Sequence, residues 1–247
     1  MRSRGKKRPW KKSGAAPASK EVSSTETEVK LRVGNRAALL RRLKALGVKL
    51  LVPRTYEMNT LYDTPSAALA SRKEMLRIRI EHAAPGNIGV RDLRTRVWHG
   101  EAILTYKGPG KGGRRGYKVR MERELHVADA DAMSQILAIL GLRAWFRYEK
   151  FRSTYRLPSL AGAKIELDET PIGDYLEIEG SRTAIDRVAA LVGFRREDYI
   201  AVSYGALFME QCGLVKPGRS PEPTPHSRLP DMLFLPRNGS SPANRKQ

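Results

Sequence analysis

Seven segments of the sequence alternate ionised side chains with apolar ones, and this alternation limits the possible folds more than any other feature. In residues 75–82, Arg77, Arg79 and Glu81 alternate with leucine and isoleucine. Side chains at positions i, i+2 and i+4 of a strand lie on one side, so each such strand has one charged face and one apolar face. The pattern recurs in TETEVKLRV, LTYKGP, YKVRMERELHV, YEKFRSTYRL, KIELDE and YLEIEG.

A charged strand face is most often a solvated face, and this interpretation suits any single strand here. It suits all seven together less well, because solvated faces normally include Ser, Thr, Gln and Asn. Carboxylates concentrate in the first and the last two strands, with Glu122 and Glu124 near the middle, and cations lie between. If the sheet closes into a barrel, its first and last strands become neighbours. The carboxylates that would then converge opposite Lys and Arg are Glu26, Glu28, Glu177 and Glu179.

Period-2 and period-3.6 patterns predict an α+β single domain with a large antiparallel sheet. Strands are predicted near 24–33, 51–62, 75–82, 101–108, 116–127, 145–157, 163–169 and 174–180. Helices are predicted near 35–46, 129–140, 182–192 and 199–210, and loops at 84–99 and 108–116. The second helix is expected to bury Met133, Ile136, Leu137 and Leu140.

The net charge of +20 is concentrated in the two tails. Residues 1–20 carry eight Lys and Arg and no acidic residue, and residues 214–247 carry six against two acidic residues. We predict a disordered basic tail at 1–22, a folded domain at 23–213 and a Pro-rich, largely disordered tail at 214–247. The apolar stretch LPDMLFLP at 229–236 is expected to dock onto the domain or onto a partner.

The single cysteine excludes a disulfide framework and fits a reducing compartment. No apolar run approaches the roughly 18 residues of a membrane span. We therefore expect a cytoplasmic protein with no membrane partner. The basic tails suit non-specific nucleic-acid binding or a solubilising role.

Clustered carboxylates and facing cations together have a chemical use. Carboxylates held close together repel one another, and a divalent cation with a preference for oxygen ligands, Mg²⁺ or Mn²⁺, relieves the repulsion. Arg and Lys bind phosphate oxygens. A metal on one side and cations on the other form a clamp for a polyphosphate, which also stabilises the charge that develops in phosphoryl transfer.

The motif Glu26-x-Glu28-x-Lys30 opens the domain, and seven further blocks follow it in order. They are LYDTP, LRIR, TYKGP, RMERE, YEKFRSTY, ELDETPIGDYLEIEG and EDYIAVSY. Over residues 23–212 the chain resembles the CYTH family of triphosphate tunnel metalloenzymes, which includes class IV adenylate cyclases, thiamine triphosphatases and inorganic triphosphatases. The resemblance implies an eight-stranded antiparallel closed barrel with a charged interior and helices packed outside.

The resemblance also implies roles for individual residues. Metal ligands would be Glu26, Glu28, Glu177 and Glu179, with Glu122, Glu124, Glu166 and Asp168 holding a second metal or orienting cations and water. The triphosphate would be held by Lys30, Arg77, Arg79, Lys107, Arg120 and Arg152, with Asp168 also in the substrate site. Glu28 and Lys150 are the candidate catalytic residues. Lys150 is included because a lysine surrounded by other cations can have a lowered pKa and activate a nucleophile.

Three functions remain open at this point. The first is metal-dependent hydrolysis of inorganic triphosphate, ATP or thiamine triphosphate. The second is cyclisation of ATP to cyclic AMP and pyrophosphate, and the third is non-enzymatic binding of RNA or polyphosphate. Hydrolysis is favoured slightly, because it needs no nucleobase pocket and the sequence shows none.

Overall fold

The computed structural model describes residues 24–83, 101–112, 116–214 and 230–234. Within them a single antiparallel sheet has the order β1-β9-β8-β7-β2-β3-β4-β6, and pairing of β1 with β6 closes it into an eight-stranded barrel. The two-residue β5 pairs with β6 and continues the β4 side of that strand. The strands are Ser24–Val33 (β1), Lys49–Asp63 (β2), Met75–Ala83 (β3), Glu101–Lys107 (β4), Lys111–Gly112 (β5), Lys118–Val127 (β6), Arg143–Arg156 (β7), Ala163–Thr170 (β8) and Gly173–Gly180 (β9). The predicted closed barrel is confirmed.

The apolar face of the barrel points outward, and the principal hydrophobic core lies outside it. On β1, Val29 and Leu31 pair with Ile178 and Leu176 of β9. These side chains are buried together with residues of α1 (Arg36–Ala45) and α4 (Arg182–Val192). Because successive strand residues face opposite sides, the intervening charged residues face the barrel interior.

The helix boundaries follow their capping residues. α1, α3 (Ala130–Ile139), α4 and α5 (Tyr204–Gln211) begin after side chains that accept a backbone N–H of the first turn. The capping residues are Asn35, Asp129, Ser181 and Ser203. The predicted helix at 199–210 is wrong at its start, because Ser203 caps it and Ile200 instead donates its N–H to the Lys30 carbonyl.

The sequence patterns missed three short elements: β5, α2 (Ala68–Ser71) and a 3₁₀ helix at Arg196–Asp198. The buried Asp63 carboxylate accepts the N–H groups of Thr64, Leu69 and Ala70, and so fixes the turn that holds α2. Elements of two to four residues are too short to leave a periodic signal.

The burial expected for α3 is only partly correct. Leu137 is buried and Met133 packs against the same cluster, but Ile136 and Leu140 are 49% and 70% exposed. Met133 and Leu137 are one helical turn apart, so a single row of α3 meets the sheet. Ile136 and Leu140 lie beside that row and remain accessible.

Residues 230–234 pack on the domain next to β7. Met232 donates its N–H to the Arg147 carbonyl and accepts the Glu149 N–H, in a parallel bridge beside Tyr148. The Met232 side chain is fully buried in an aromatic cluster that includes Phe146 and Tyr204. Of the two alternatives for this apolar stretch, the structure shows docking on the domain.

Other expectations lie outside the described residues: the predicted loop at 84–99, most of the two tails and their disorder. Among the residues that are described, no helix combines the length and the hydropathy needed to cross a bilayer.

We predict that Met232→Ala lowers the free energy of unfolding by about 2–5 kcal/mol, the usual cost of truncating a buried methionine. Urea unfolding of the full chain measures this. Ile139→Ala is the control, because Ile139 is 85% exposed and its truncation is expected to change stability by less than about 0.5 kcal/mol. Equal effects of the two substitutions would show that residues 230–234 do not pack on the domain in solution.

Candidate active site

The barrel interior is a tunnel lined by ionised side chains from all eight strands. Side-chain exposure along β1 falls from 25% at Glu26 and 20% at Glu28 to 4% at Lys30. On β9 it falls from 26% at Glu179 to 11% at Glu177. The Glu26 and Glu179 ends of these neighbouring strands therefore lie toward an open mouth, and Lys30 lies deeper.

Near this mouth, Glu26 and Glu122 form a hydrogen-bonded carboxyl pair. Burial, followed by the hydrogen bond with Glu122, raises the pKa of Glu26 to about 8. Burial acts against ionisation of Glu122 too, but the hydrogen bond from Glu26 and the charge of Lys107 lower its pKa to about 2. Lys107 lies 3.5 Å from Glu26 and also forms an ion pair with Glu122. The pair thus shares one proton at neutral pH.

Beside it, Glu28 and Glu179 face each other across the β1–β9 ladder. Lys118 lies 2.9 Å from Glu28, and Lys164 lies 2.5 Å from Glu179. Burial and the charges of Lys30, Arg120 and Lys107 lower the pKa of Lys118, although Glu28 opposes the shift. The carboxylates of β1 and β9 are therefore adjacent, and each has a lysine partner.

Arg152 is the centre of the densest part of the network. Its guanidinium contacts both Asp168 oxygens at 2.6 Å, Glu166 at 2.5 Å, and Glu177. Glu177 also binds Lys30 at 2.7 Å. Burial opposes the ionisation of Glu177, but Lys30 and Arg152 hold its pKa well below the usual range.

Lys150 has carboxylates as its nearest charged neighbours. Its Nζ lies 3.3 Å from Glu57 and 3.1 Å from Asp168, and all three side chains are at most 3% exposed. Burial opposes the ionisation of Glu57, but Lys150 and Arg152 lower its pKa to about 2. The expectation that cations surround Lys150 is wrong, because Glu57 and Asp168 face it across β2 and β8.

Arg77 and Arg79 form a second cationic group on β3. Arg77 donates to the Tyr148 hydroxyl and to Thr105, both at 3.3 Å, while Arg79 lies 2.6 Å from Glu81 and 3.5 Å from Glu124. Glu124 follows Glu122 on the same face of β6, and its 39% exposure places it at the tunnel mouth. Arg120 stands opposite Glu26 in the β1–β6 ladder, and its Nε has no hydrogen-bond partner in the described part of the chain.

The other end of the tunnel is closed by aromatic and apolar side chains. The Tyr204 hydroxyl donates to Asp168 at 2.7 Å, and Lys30 lies 4.2 Å from the Tyr204 ring centroid. A cavity of about 70 Å³ remains there. It is lined by Leu61, Met75, Trp145, Phe146, Tyr148 and residues 203–206. A larger groove of about 640 Å³ lies between α1 and α4, outside the barrel and away from the tunnel charges.

A family model for the CYTH domain matches residues 24–194, which is more than half of the chain. The chain belongs to the CYTH family. A relative from Methanocaldococcus jannaschii described as "Putative adenylate cyclase" is 26% identical over 161 residues, covering 65% of this chain and 79% of the relative.

Solved structures share the CYTH fold of this chain. A protein from Pyrococcus horikoshii is 23% identical with a TM-score of 0.59, over 75% of this chain and 99% of that one. A protein from Hippeastrum described as a "Putative adenylyl cyclase" with "a dominant triphosphatase activity" is 22% identical with a TM-score of 0.50. That match covers 78% of this chain and 98% of the Hippeastrum protein.

The predicted ligand residues of this CYTH domain fit a divalent cation by their chemistry. In the described residues no three His, Cys, Asp or Glu side chains are grouped closely enough to hold a metal, and Glu122, Glu28 and Glu179 each form an ion pair with a lysine. All the donors are carboxylate oxygens, which Mg²⁺ and Mn²⁺ prefer.

The structure places every predicted site residue in the tunnel but interleaves the charges more finely than expected. Carboxylates and cations contact each other across neighbouring strands, where the sequence suggested two opposed walls. A buried charge without a partner is costly, and this cost favours alternation over segregation.

Sequence reasoning missed four tunnel residues: Glu57 and Asn59 on β2, Lys164 on β8 and Tyr204 on α5. β2 carries only one ionised residue between Thr55 and Leu61 on its inward face, so it lacks the charge alternation of the other strands. Because β2 pairs with both β3 and β7, its inward side chains face the tunnel as theirs do. Tyr204 lies in the segment EDYIAVSY, which resembles the family, but the sequence pattern does not show which side chain its hydroxyl contacts.

We predict that Glu57 is one cause of the loss of folding stability at acid pH. Its pKa is lowered to about 2 in the folded chain from its ordinary value of 4.5, so its contribution to stability is present above pH 4.5 and is lost as the pH falls toward 2. Urea unfolding at pH 7, 4.5 and 3 should give a shallower acid dependence for Glu57→Gln than for the wild type, together with lower stability at pH 7. The exposed Glu197→Gln is the control and should follow the wild-type curve. Identical curves for all three chains would contradict the pairing of Glu57 with Lys150 and Arg152.

Proposed function

We propose that this protein is a divalent-metal-dependent triphosphatase that hydrolyses a phosphoanhydride bond of an inorganic or organic triphosphate. The observation that carries the proposal is a single tunnel in which carboxylates of β1, β6 and β9 are interleaved with cations of β1, β3, β4 and β7. In the closed strand order β1 is four strands from β2 in either direction, so the β1 carboxylates face the β2 side of the tunnel.

The proposed metal ligands are Glu26, Glu28, Glu122, Glu177 and Glu179, with Glu124 at the mouth. A bound Mg²⁺ or Mn²⁺ would neutralise phosphate charge and polarise the phosphoryl group. The residues proposed to bind the triphosphate are Lys30, Arg77, Arg79, Lys107, Arg120 and Arg152. Arginine forks bind phosphate oxygens in pairs, and buried cations stabilise the charge that develops on them during phosphoryl transfer.

Asp168 holds this cationic set in position. It accepts hydrogen bonds from Lys150, Arg152 and the Tyr204 hydroxyl, and it is 0% exposed. We assign it a positioning role beneath the substrate. Lys150 remains a catalytic candidate, with its ammonium held between Asp168 and Glu57 in the centre of the tunnel.

The activity described for a protein of the same fold favours hydrolysis over cyclisation. The Hippeastrum protein is described as having a dominant triphosphatase activity.

The alternative is an adenylate cyclase that forms cyclic AMP and pyrophosphate at the same site. The description of the Methanocaldococcus jannaschii relative supports it. Both reactions use the same clamp and differ in the oxygen that attacks. Binding of nucleic acid by the basic tails would be independent of the tunnel.

Purified full-length protein should release phosphate from inorganic triphosphate, ATP or thiamine triphosphate when Mg²⁺ or Mn²⁺ is present, and should stop when the metal is chelated. Separation of the products by ion-exchange chromatography identifies the bond that breaks. Cyclic AMP as the main product from ATP would replace the proposal with the cyclase alternative, and no turnover of any triphosphate would overturn both.

Glu28→Gln and Glu179→Gln should each weaken activation by metal and lower turnover, because each removes a carboxylate from the adjacent β1–β9 pair. The control is Glu169→Gln, which removes a carboxylate from the outer side of β8, where Glu169 binds Arg36 and Arg54. Titration of activity against Mn²⁺ concentration measures the effect. Unchanged metal dependence in both tunnel variants would show that the ligand assignment is wrong.

A further inference from the structure

Asn59 is a fully buried amide inside the tunnel without a hydrogen-bond partner. Its side chain is 0% exposed, and neither Nδ2 nor Oδ1 has a partner among the described residues. An unsatisfied buried polar group costs about 1–3 kcal/mol, so such groups are rare in native proteins and call for an explanation. Glu57, Arg77 and Arg79 also have one buried atom each without a hydrogen-bond partner, but each of these side chains forms an ion pair or another hydrogen bond, whereas neither polar atom of Asn59 has a partner among the described residues.

The register places Asn59 on the same face as the reactive groups. Two residues earlier on β2, Glu57 lies opposite Lys150 of β7, and Asn59 itself lies opposite Tyr148 of β7 and Arg79 of β3. Because Glu57 contacts Lys150 and Arg152 in the tunnel, Asn59 also faces inward. The amide is therefore on the cationic side of the site, next to the proposed phosphate-binding Arg77 and Arg79.

The hydrogen-bonding capacity of the amide limits what it can bind. A phosphate oxygen only accepts hydrogen bonds, so it would satisfy Nδ2 and leave Oδ1 without a partner. A metal ion would satisfy only Oδ1. A water molecule accepts from Nδ2 and donates to Oδ1, and so satisfies both atoms.

We propose that Asn59 is a positioning residue that orients the attacking water in triphosphate hydrolysis. This inference rests on the proposed function. The water oxygen forms a bond to the terminal phosphorus, the bridging anhydride bond breaks with its electron pair going to the pyrophosphate oxygen, and the released water proton passes to the phosphate products. Nδ2 and Oδ1 fix the direction of the water lone pair, a role that side-chain amides can perform in phosphoryl transfer.

Asn59→Leu separates this role from a structural one. Leucine has a similar size and no polar atoms, so replacing an unsatisfied amide with it should leave the melting temperature unchanged or raise it. If Asn59 orients water, kcat for inorganic triphosphate should fall about 100-fold, the usual loss when a reacting group is misplaced by about 1 Å. The affinity for a methylene-bridged triphosphate analogue, measured by calorimetry with Mn²⁺, should not change.

Thr60→Val is the matched control on the same strand. Thr60 is 7% exposed and pairs with Ile78 and Arg147, so it faces the outside of the barrel and its substitution should leave kcat unchanged. Three results for Asn59→Leu would overturn the inference but not the proposed function. They are a wild-type kcat, weaker binding of the analogue, or a lower melting temperature with proportionally less folded protein. A wild-type enzyme that hydrolyses no triphosphate would overturn both the inference and the proposed function.

Discussion

Strand register is the constraint on which the rest of this structure depends. A shift of one residue would move every charged side chain of a strand from the tunnel to the outer core and every apolar side chain in the reverse direction. Interior ion pairs such as Lys30 with Glu177 and Lys118 with Glu28 join neighbouring strands and form only in this register. The outer apolar layer beneath α1 and α4 requires the same register. Packing outside the barrel and pairing inside it therefore select one closed sheet.

This arrangement also explains how a tunnel with so many charges can remain folded and still bind charged ligands. Buried carboxylates and cations that are paired cost far less than unpaired ones. In the proposed function, a divalent cation would be held by the carboxylates that now pair with Lys107 and Lys118, and these lysines would then be available to bind phosphate oxygens. Each buried charge would keep a partner of opposite sign.

The sequence predicts the barrel well because both faces of its strands carry strong periodic signals. The alternation of Arg77 and Arg79 with leucine and isoleucine is sufficient to orient β3. The sequence cannot predict which charges will meet, because partners such as Arg152 and Glu177 are brought together by sheet order and tilt. Glu57 and Asn59 lie on a strand of mixed polarity, and the hydroxyl of Tyr204 reaches Asp168 from a helix outside the sheet. Those contacts arise only from the tertiary fold.

Asn59 differs from the buried ionised residues of the tunnel in a way that concerns function. The ion pairs can be explained by folding alone, since each charge compensates another. An amide that is buried without a partner makes the folded state less stable, and local sequence rules are most often broken in this way at functional sites. A neutral amide also has a property that the surrounding ions lack: it donates and accepts without attracting either the metal or the phosphates. Among strongly charged neighbours, such a group can direct a neutral nucleophile, which no Lys, Arg or ionised Glu can do with both a donor and an acceptor.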